Sequence, residues 1–136
     1  MNYLLDTNHW SYFQRRTPAL VARIGSLASE SKLHISVISQ GELVSGIEVL
    51  ERGKRRDELR RFYDEIIRTM ATTVSVDERV AERFGKLFAE LRRAGTPIVT
   101  NDIWLGATAL VHDLVLVTND AHFGYVKGLR VEDWTV

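Results

Sequence analysis

The chain has 136 residues, of which 45% are hydrophobic, and its 18 basic residues balance its 18 acidic residues. Zero net charge excludes nucleic-acid binding that depends on overall charge, and the lack of cysteine excludes disulfides, thiolate metal sites and a cysteine nucleophile. The first residues lack the basic start of a signal peptide, and no apolar run is long enough to span a bilayer. We therefore expect one domain over residues 1–136, located in the cytoplasm and outside the membrane.

Short apolar runs alternate with longer helical patterns along the chain. In order, the patterns predict a strand at 3–5, a helix from Thr17, a strand at 33–37, a helix from Ser39, a helical stripe from Leu59 to Met70, a strand at 73–76, a helix from Asp77 to Gly95, a helix from Asn101 or Asp102, a strand at 114–117 and a last strand near 129–131. This alternation favours an α/β fold in which a parallel sheet is covered by helices on both faces.

Acidic residues follow several of these strands. Open parallel sheets bind ligands beyond the carboxyl ends of their strands, so the residues at those positions are candidate functional residues. Four acids lie just after a predicted strand or at the start of a predicted helix, and these positions should all lie at the same edge of the sheet. They are Asp6, Glu42, Asp102 and Asp120.

Each acid also has a purely structural explanation. Asp6 fits an Asx-turn, and Asp102 fits a first-turn acid that complements the helix dipole. Ser39 and Glu42 have the spacing of a capping box, in which Glu42 reaches back to the backbone N–H of Ser39. Asp120 fits an ordinary turn.

Taken together, the four acids favour a cation site. Carboxylates within about 4–5 Å of each other repel by roughly 3–4 kcal/mol per pair at an effective dielectric near 20. A helix N-terminus offsets only about 0.3–1 kcal/mol of this cost. A cation or raised pKa values are therefore needed, and oxygen ligands without cysteine favour Mg²⁺ or Mn²⁺ over zinc.

The segments around these acids resemble a known family. They are Leu4–Asn8 (LLDTN), Ser39–Leu43, Asn101–Ala109 and Val117–Phe123. In this order and spacing they resemble the PIN-domain ribonucleases and, more narrowly, the VapC-type toxins of toxin–antitoxin pairs. The ending Gly128–Trp134 is similar to the tail of those toxins.

The resemblance implies a fold, an activity and partners. The fold would be a three-layer α/β/α sandwich with a central, mainly parallel sheet of four to five strands. The activity would be endonucleolytic cleavage of RNA with Mg²⁺ or Mn²⁺, and the partners an antitoxin that blocks the site and a second copy of the chain in a homodimer. His122 stands where many family members have a further acid, which leaves the number of metal ions open. The metal ligands implied are Asp6, Glu42, Asp102 and Asp120.

Phosphodiester chemistry suggests roles for these residues. Asp6 and Asp102 are the first choice for direct ligands, and Glu42 is either a ligand or a base that orients the attacking water. Asp120 would ligate directly or through water. Water attack would leave a 5′-phosphate and a 3′-hydroxyl and would not need the RNA 2′-OH. Candidates for hydrogen bonds that orient the carboxylates are Thr7, Asn8, Thr118 and Asn119, for which ordinary turn and cap chemistry is the alternative.

RNA contacts would have to come from local basic patches. One patch lies in Glu51–Arg61, after the helix predicted from Ser39, and a second, which includes Arg23, lies near the first motif. The alternative is a solvated helix face with i,i+4 ion pairs. The candidate RNA-binding residues are Arg15, Arg16, Arg52, Lys54, Arg55 and Arg56.

Two other functions remain open at this point. An aspartyl-phosphate phosphatase also places an aspartate after its first strand, but it needs a second acid two positions later, where this chain has Asn8. A non-catalytic dimerisation or antitoxin-binding module would use the same acids only as caps.

Overall fold

The computed structural model describes residues 1–136 and is built around a five-stranded sheet. The strands lie in the order β3-β2-β1-β4-β5, and every neighbouring pair is parallel, as predicted. Each strand lies within one or two residues of its expected bounds. The strands are β1 (Asn2–Leu5), β2 (Lys32–Ser36), β3 (Ala71–Val74), β4 (Val115–Val117) and β5 (Val131–Glu132).

Helices connect the strands. A π-helical turn at Tyr63–Ile67 joins the fourth and fifth helices, and a 3₁₀ helix at Ala121–Tyr125 follows β4. No helix of the chain has the length and apolar character needed to cross a membrane. The helices are α1 (Thr7–Gln14), α2 (Pro18–Gly25), α3 (Val37–Glu48), α4 (Lys54–Phe62), α5 (Arg68–Met70), α6 (Glu78–Arg93) and α7 (Thr100–Val111).

The sheet is buried on both faces. Alternate side chains of a strand point to opposite faces, so Tyr3 and Leu5 pack in the core formed with the first helices, including Trp10 of α1. Leu4 faces the other side and packs with Leu105 of α7. Helix α6 then packs on α7 in a third apolar cluster. The predicted three-layer α/β/α sandwich is therefore confirmed.

Two local predictions differ from the structure. Helix α1 follows β1 directly and was not among the predicted helices, because its residues (TNHWSYFQ) carry no aliphatic stripe. Buried Trp10 packs this helix onto the sheet instead. Helix α3 begins at Val37 and not at Ser39, because the Oγ of Ser36 accepts the backbone N–H of Ile38 at 3.0 Å and caps the helix.

The central strand, β1, defines the edge where the acids gather. The chain leaves β1 toward β2 on one side and later returns to β4 on the other, so the strand order reverses between β1 and β4. Leu5 pairs with Val117 at this edge, and the next backbone N–H, that of Asp6, donates to the carbonyl of Val117 at 3.0 Å. Crevices at such reversal points are where open α/β sheets bind ligands.

Candidate metal centre

Asp6 ends β1 and caps α1. Its Oδ1 accepts the backbone N–H of His9 at 2.7 Å and lies 3.1 Å from the His9 Nδ1 atom. The structural interpretation of Asp6 as a turn and cap residue is thus correct, but it uses one oxygen only. Oδ2 accepts no hydrogen bond. It is not fully buried either, so it is exposed to the solvent. That oxygen remains available to a ligand.

Glu42 does not form the predicted capping box. Ser39 lies inside the first turn of α3 rather than before it, so its N–H is not at a cap position. Glu42 Oε1 instead lies 2.8 Å from Thr7 Oγ1, and Thr7 Oγ1 is 2.9 Å from the hydroxyl oxygen of Ser39. Since a carboxylate can only accept, the Thr7 hydroxyl donates to Glu42 and ties α3 to the start of α1.

Asp120 repeats the arrangement of Asp6. It caps the 3₁₀ helix, where its Oδ1 accepts the backbone N–H of His122 at 2.9 Å and lies 3.0 Å from the ring Nδ1 of His122. The hydroxyl of Thr118 accepts the backbone N–H of Asp120 at 3.0 Å. Asp102 lies in the first turn of α7, as expected for a dipole-compatible acid, but its carboxylate accepts no hydrogen bond.

The four acids act on one another electrostatically. Burial, together with the negative charges of Asp120, Asp6 and Glu42, raises the pKa of Asp102 from 3.8 to about 6. The acids expected to converge therefore do share one electrostatic environment. No three His, Asp or Glu side chains, however, stand close enough to enclose a metal ion in this arrangement. Mutual repulsion opposes a closer approach unless a cation offsets it.

The donor set fits a hard divalent cation. All four side chains offer carboxylate oxygens, which are the ligands preferred by Mg²⁺ and Mn²⁺. Asp6 has one oxygen without a hydrogen bond, and Asp102 has two. A half-buried carboxylate without donors, among three other acids, is the environment that a cation stabilises most.

Of the four residues predicted to orient the carboxylates, two form hydrogen bonds that do so and two do not. Thr7 contacts Glu42, and Thr118 fixes the turn that carries Asp120. Asn8 is exposed and its side chain forms no hydrogen bond, so its predicted role is not supported. Asn119 donates to the Tyr12 hydroxyl at 3.3 Å and not to a carboxylate.

The basic patch near the site is smaller than predicted. Arg15 and Arg55 line a cavity of about 220 Å³ that also contains Thr7 and Glu42, and neither arginine forms an ion pair. Other members of the predicted patches follow the alternative of a solvated face: Lys54 pairs with Glu58, Arg56 with Glu48 and Arg23 with Glu132, whereas Arg16 and Arg52 are exposed.

Sequence reasoning missed His9. The histidine noted in the sequence was His122, whereas the buried histidine that touches a candidate ligand is His9. The signal was present as Asp6-x-x-His9, in which the histidine occupies the third helical position behind a capping aspartate. Recognising it required the prediction of α1.

The raised pKa of Asp102 predicts that Asp102→Asn stabilises the metal-free protein at about pH 7. The pKa is 3.8 for an ordinary aspartate and about 6 for folded Asp102. Between these values the folded protein binds more protons than the unfolded chain, so the free energy of unfolding falls as pH rises. For a fully buried group, a pKa shift of this size would lower the free energy of unfolding by about 3 kcal/mol at pH 7. Asp102 is half-exposed and screened by solvent, so we expect Asp102→Asn to raise the free energy of unfolding by about 1 kcal/mol.

Urea unfolding in chelator tests this expectation. The gain should be present near pH 7 and much smaller near pH 4, where Asp102 is protonated in the folded protein and roughly 40% protonated in the unfolded chain. Asp77→Asn is the control, since Asp77 caps α6 through the N–H of Val80 and does not act on Asp102. Equal stability of Asp102→Asn and the parent at both pH values would contradict the assignment.

Comparison with known proteins identifies the family to which this fold belongs. The sequence model of the PIN domain family matches residues 3–129, and the chain belongs to that family. Ribonuclease VapC1 of Haemophilus influenzae strain R2866 is 29% identical over 137 residues, with 99% of each chain covered. The Shigella flexneri protein named tRNA(fMet)-specific endonuclease VapC is 30% identical over 137 residues, again with 99% of each chain covered. The structure of VapBC-1 from nontypeable Haemophilus influenzae matches with a TM-score of 0.86 and 28% identity over 100% of both chains.

Proposed function

We propose that the chain is a metal-dependent endoribonuclease and the toxin of a toxin–antitoxin pair. The observation that supports this most directly is that the charges of Asp120, Asp6 and Glu42 act on Asp102 and, with burial, raise its pKa at the edge where the strand order reverses. The family relationship supports the reaction class, since curated relatives of similar length are named ribonucleases.

The metal would be held by Asp6, Asp102 and Asp120, with Glu42 as a further ligand or as the base that orients the attacking water. When bound, Mg²⁺ or Mn²⁺ supplies a more acidic water and neutralises charge on the phosphoryl oxygens. Asp6 and Asp120 each hold one oxygen on their own helix N-terminus, which fixes the carboxylate and leaves the second oxygen for the cation. The Thr7 hydroxyl fixes Glu42 in the same way.

The proposed reaction predicts which ends the products carry. Attack by water leaves a 5′-phosphate and a 3′-hydroxyl, and the RNA 2′-OH takes no part. We therefore expect an RNA with a single 2′-deoxy substitution at the cleaved position to be cut at a rate within a few-fold of the unmodified RNA. Mapping of labelled products measures this. A 2′,3′-cyclic phosphate end, or loss of cleavage on 2′-deoxy substitution, would contradict the proposal.

Arg15 and Arg55 are the proposed phosphate contacts beside the site. Both line the cavity that holds Thr7 and Glu42, and neither is neutralised by an acid. Each arginine→alanine variant should weaken RNA binding by several-fold and lower the number of counterions released on binding by about one, because one phosphate is no longer neutralised. Binding to catalytically inactive protein at several salt concentrations measures both effects. Arg83→Ala, on α6 in the opposite helical layer, is the matched control and should change neither.

The proposed partners are an RNA substrate, a small antitoxin protein and a second copy of the chain. The solved relatives include the toxin–antitoxin complex VapBC-1. An antitoxin that covers the carboxylates would block both the metal and the RNA, so binding and inhibition would coincide. We place this activity in the cytoplasm, where the RNA is found.

A further inference from the structure

His9 connects a candidate metal ligand to the far end of the chain. Its side chain is fully buried at the start of α1. On one side its Nδ1 atom lies 3.1 Å from Asp6 Oδ1. On the other side its Nε2 atom accepts the backbone N–H of Trp134 at 3.3 Å. Both ring nitrogens of His9 therefore have a partner. One of these partners, Trp134, lies 125 positions further along the chain.

These contacts fix the tautomer of His9. A backbone N–H can only donate, so Nε2 must carry a lone pair and the proton must lie on Nδ1. The Asp133 Oδ1 atom is 3.6 Å from Nε2, so the backbone N–H of Trp134, at 3.3 Å, is the closer partner of this nitrogen. Nδ1–H consequently donates to Asp6 Oδ1, which already accepts the backbone N–H of His9.

The choice of histidine at this position follows from the strand that precedes it. In a capping box, an acid at the third helical position would reach back to the N–H of the capping residue. Here the N–H of Asp6 is already bonded to the carbonyl of Val117 in the sheet. A glutamate would find no donor and would add a charge beside Asp6, whereas the histidine ring supplies Asp6 Oδ1 with a second donor.

The tail that holds His9 is itself anchored. The Trp134 ring is buried and packs edge-on against Tyr3 of β1, with centroids 4.9 Å apart. Its indole N–H donates to Glu132 at 2.9 Å, and Arg23 of α2 bonds the same carboxylate oxygen at 3.1 Å. The backbone at Trp134 is thereby held against α1, which keeps the accepting nitrogen of His9 in place.

We propose that His9 is a positioning residue for Asp6: with its tautomer set by the Trp134 backbone, it locks Asp6 Oδ1 and turns Oδ2 toward the divalent cation. This rests on the proposed role of Asp6 as a metal ligand. Partners of this kind typically change metal affinity by about 10–100-fold when they are removed. The C-terminal segment thus contributes to the site through His9 without reaching it.

Three substitutions separate the two hydrogen bonds of His9. In His9→Asn the amide lies near the position of Nδ1 and keeps a donor for Asp6. In His9→Gln the amide reaches the position of Nε2, and His9→Leu removes both bonds while keeping apolar volume. We expect Mn²⁺ dissociation constants, measured by electron paramagnetic resonance, to rise about 10-fold or more in His9→Leu and His9→Gln but only a few-fold in His9→Asn.

A stability control distinguishes positioning from general loosening of the fold. Leu87→Ala removes a buried side chain in the α6–α7 cluster, on the opposite side of the sheet, and should lower the urea midpoint of unfolding without changing Mn²⁺ affinity. In addition, ¹⁵N chemical shifts should show a protonated Nδ1 and an unprotonated Nε2 in His9 of the wild-type chain.

The outcomes separate the two proposals. Mn²⁺ affinity in His9→Leu equal to that of the wild-type chain, or a fall in His9→Asn as large as in His9→Leu, would overturn the role of His9 and leave the metal site standing. A proton on Nε2 would overturn it as well. No Mn²⁺ binding by the wild-type chain would instead overturn the proposed metal-dependent function.

Discussion

Asp6→Asn and Asp102→Asn should each reduce RNA cleavage by about 10³-fold or more while the protein remains folded. Each change removes one negative charge from the set that would hold the cation, and lost charge stabilisation of a phosphoryl transition state has effects of this order. Asparagine still accepts a hydrogen bond at a helix cap, so α1 should survive the change at Asp6. Initial rates on a labelled RNA, together with circular dichroism, measure the two parts of the expectation.

Asp77→Asn is the matched control for these variants. Asp77 follows β3 and caps α6 by accepting the N–H of Val80 at 3.1 Å, which is the same local role that Asp6 has in α1. It takes no part in the environment of Asp102. Its replacement should leave cleavage within about two-fold of the parent. Full activity of folded Asp6→Asn and Asp102→Asn proteins would rule out the catalytic assignment.

Removal of divalent cations should abolish cleavage, and Mg²⁺ or Mn²⁺ should restore it. The charges that shift the pKa of Asp102 are those of three further acids and His122, so repulsion among the carboxylates has to be offset by a cation before an anionic phosphate can bind beside them. The same titration should raise the melting temperature, because a ligand that binds only the folded state stabilises it.

The thermal shifts of two variants with Mn²⁺ test the metal assignment further. Asp102→Asn should show a smaller thermal shift with Mn²⁺ than the parent protein, whereas Asp77→Asn should show the same shift. Undiminished cleavage in excess chelator would mean that the nucleophile is activated by protein groups alone, and the metal assignment would then be wrong.

The layer structure was predictable because it depends on local periodicity. Apolar strands that alternate with amphipathic helices required a parallel sheet covered on both faces, and the direction of parallel strands placed their carboxyl ends at one edge. Asp6 and Asp120 could therefore be placed at that edge from the sequence alone. Elements with weak hydrophobic periodicity were predicted worst. Helix α1, which has no aliphatic stripe, was not predicted at all.

The contacts within the site were not predictable, because they join distant parts of the chain. Glu42 has capping-box spacing with Ser39, yet Thr7, 35 residues away, takes its carboxylate oxygen. The cap of α3 is Ser36, which the sequence pattern placed inside the preceding strand. His9 and Trp134 meet only because the last residues of the chain fold back onto β1 and α1.

A crystal structure of the protein with Mn²⁺, solved with anomalous diffraction, tests the central claim most directly. We expect one or more anomalous peaks coordinated by oxygens of Asp6 and Asp102, with Asp120 bound directly or through water and Glu42 within reach of the same ion. A Mn²⁺-loaded crystal without a peak among these carboxylates, or with peaks only at other acids, would contradict it.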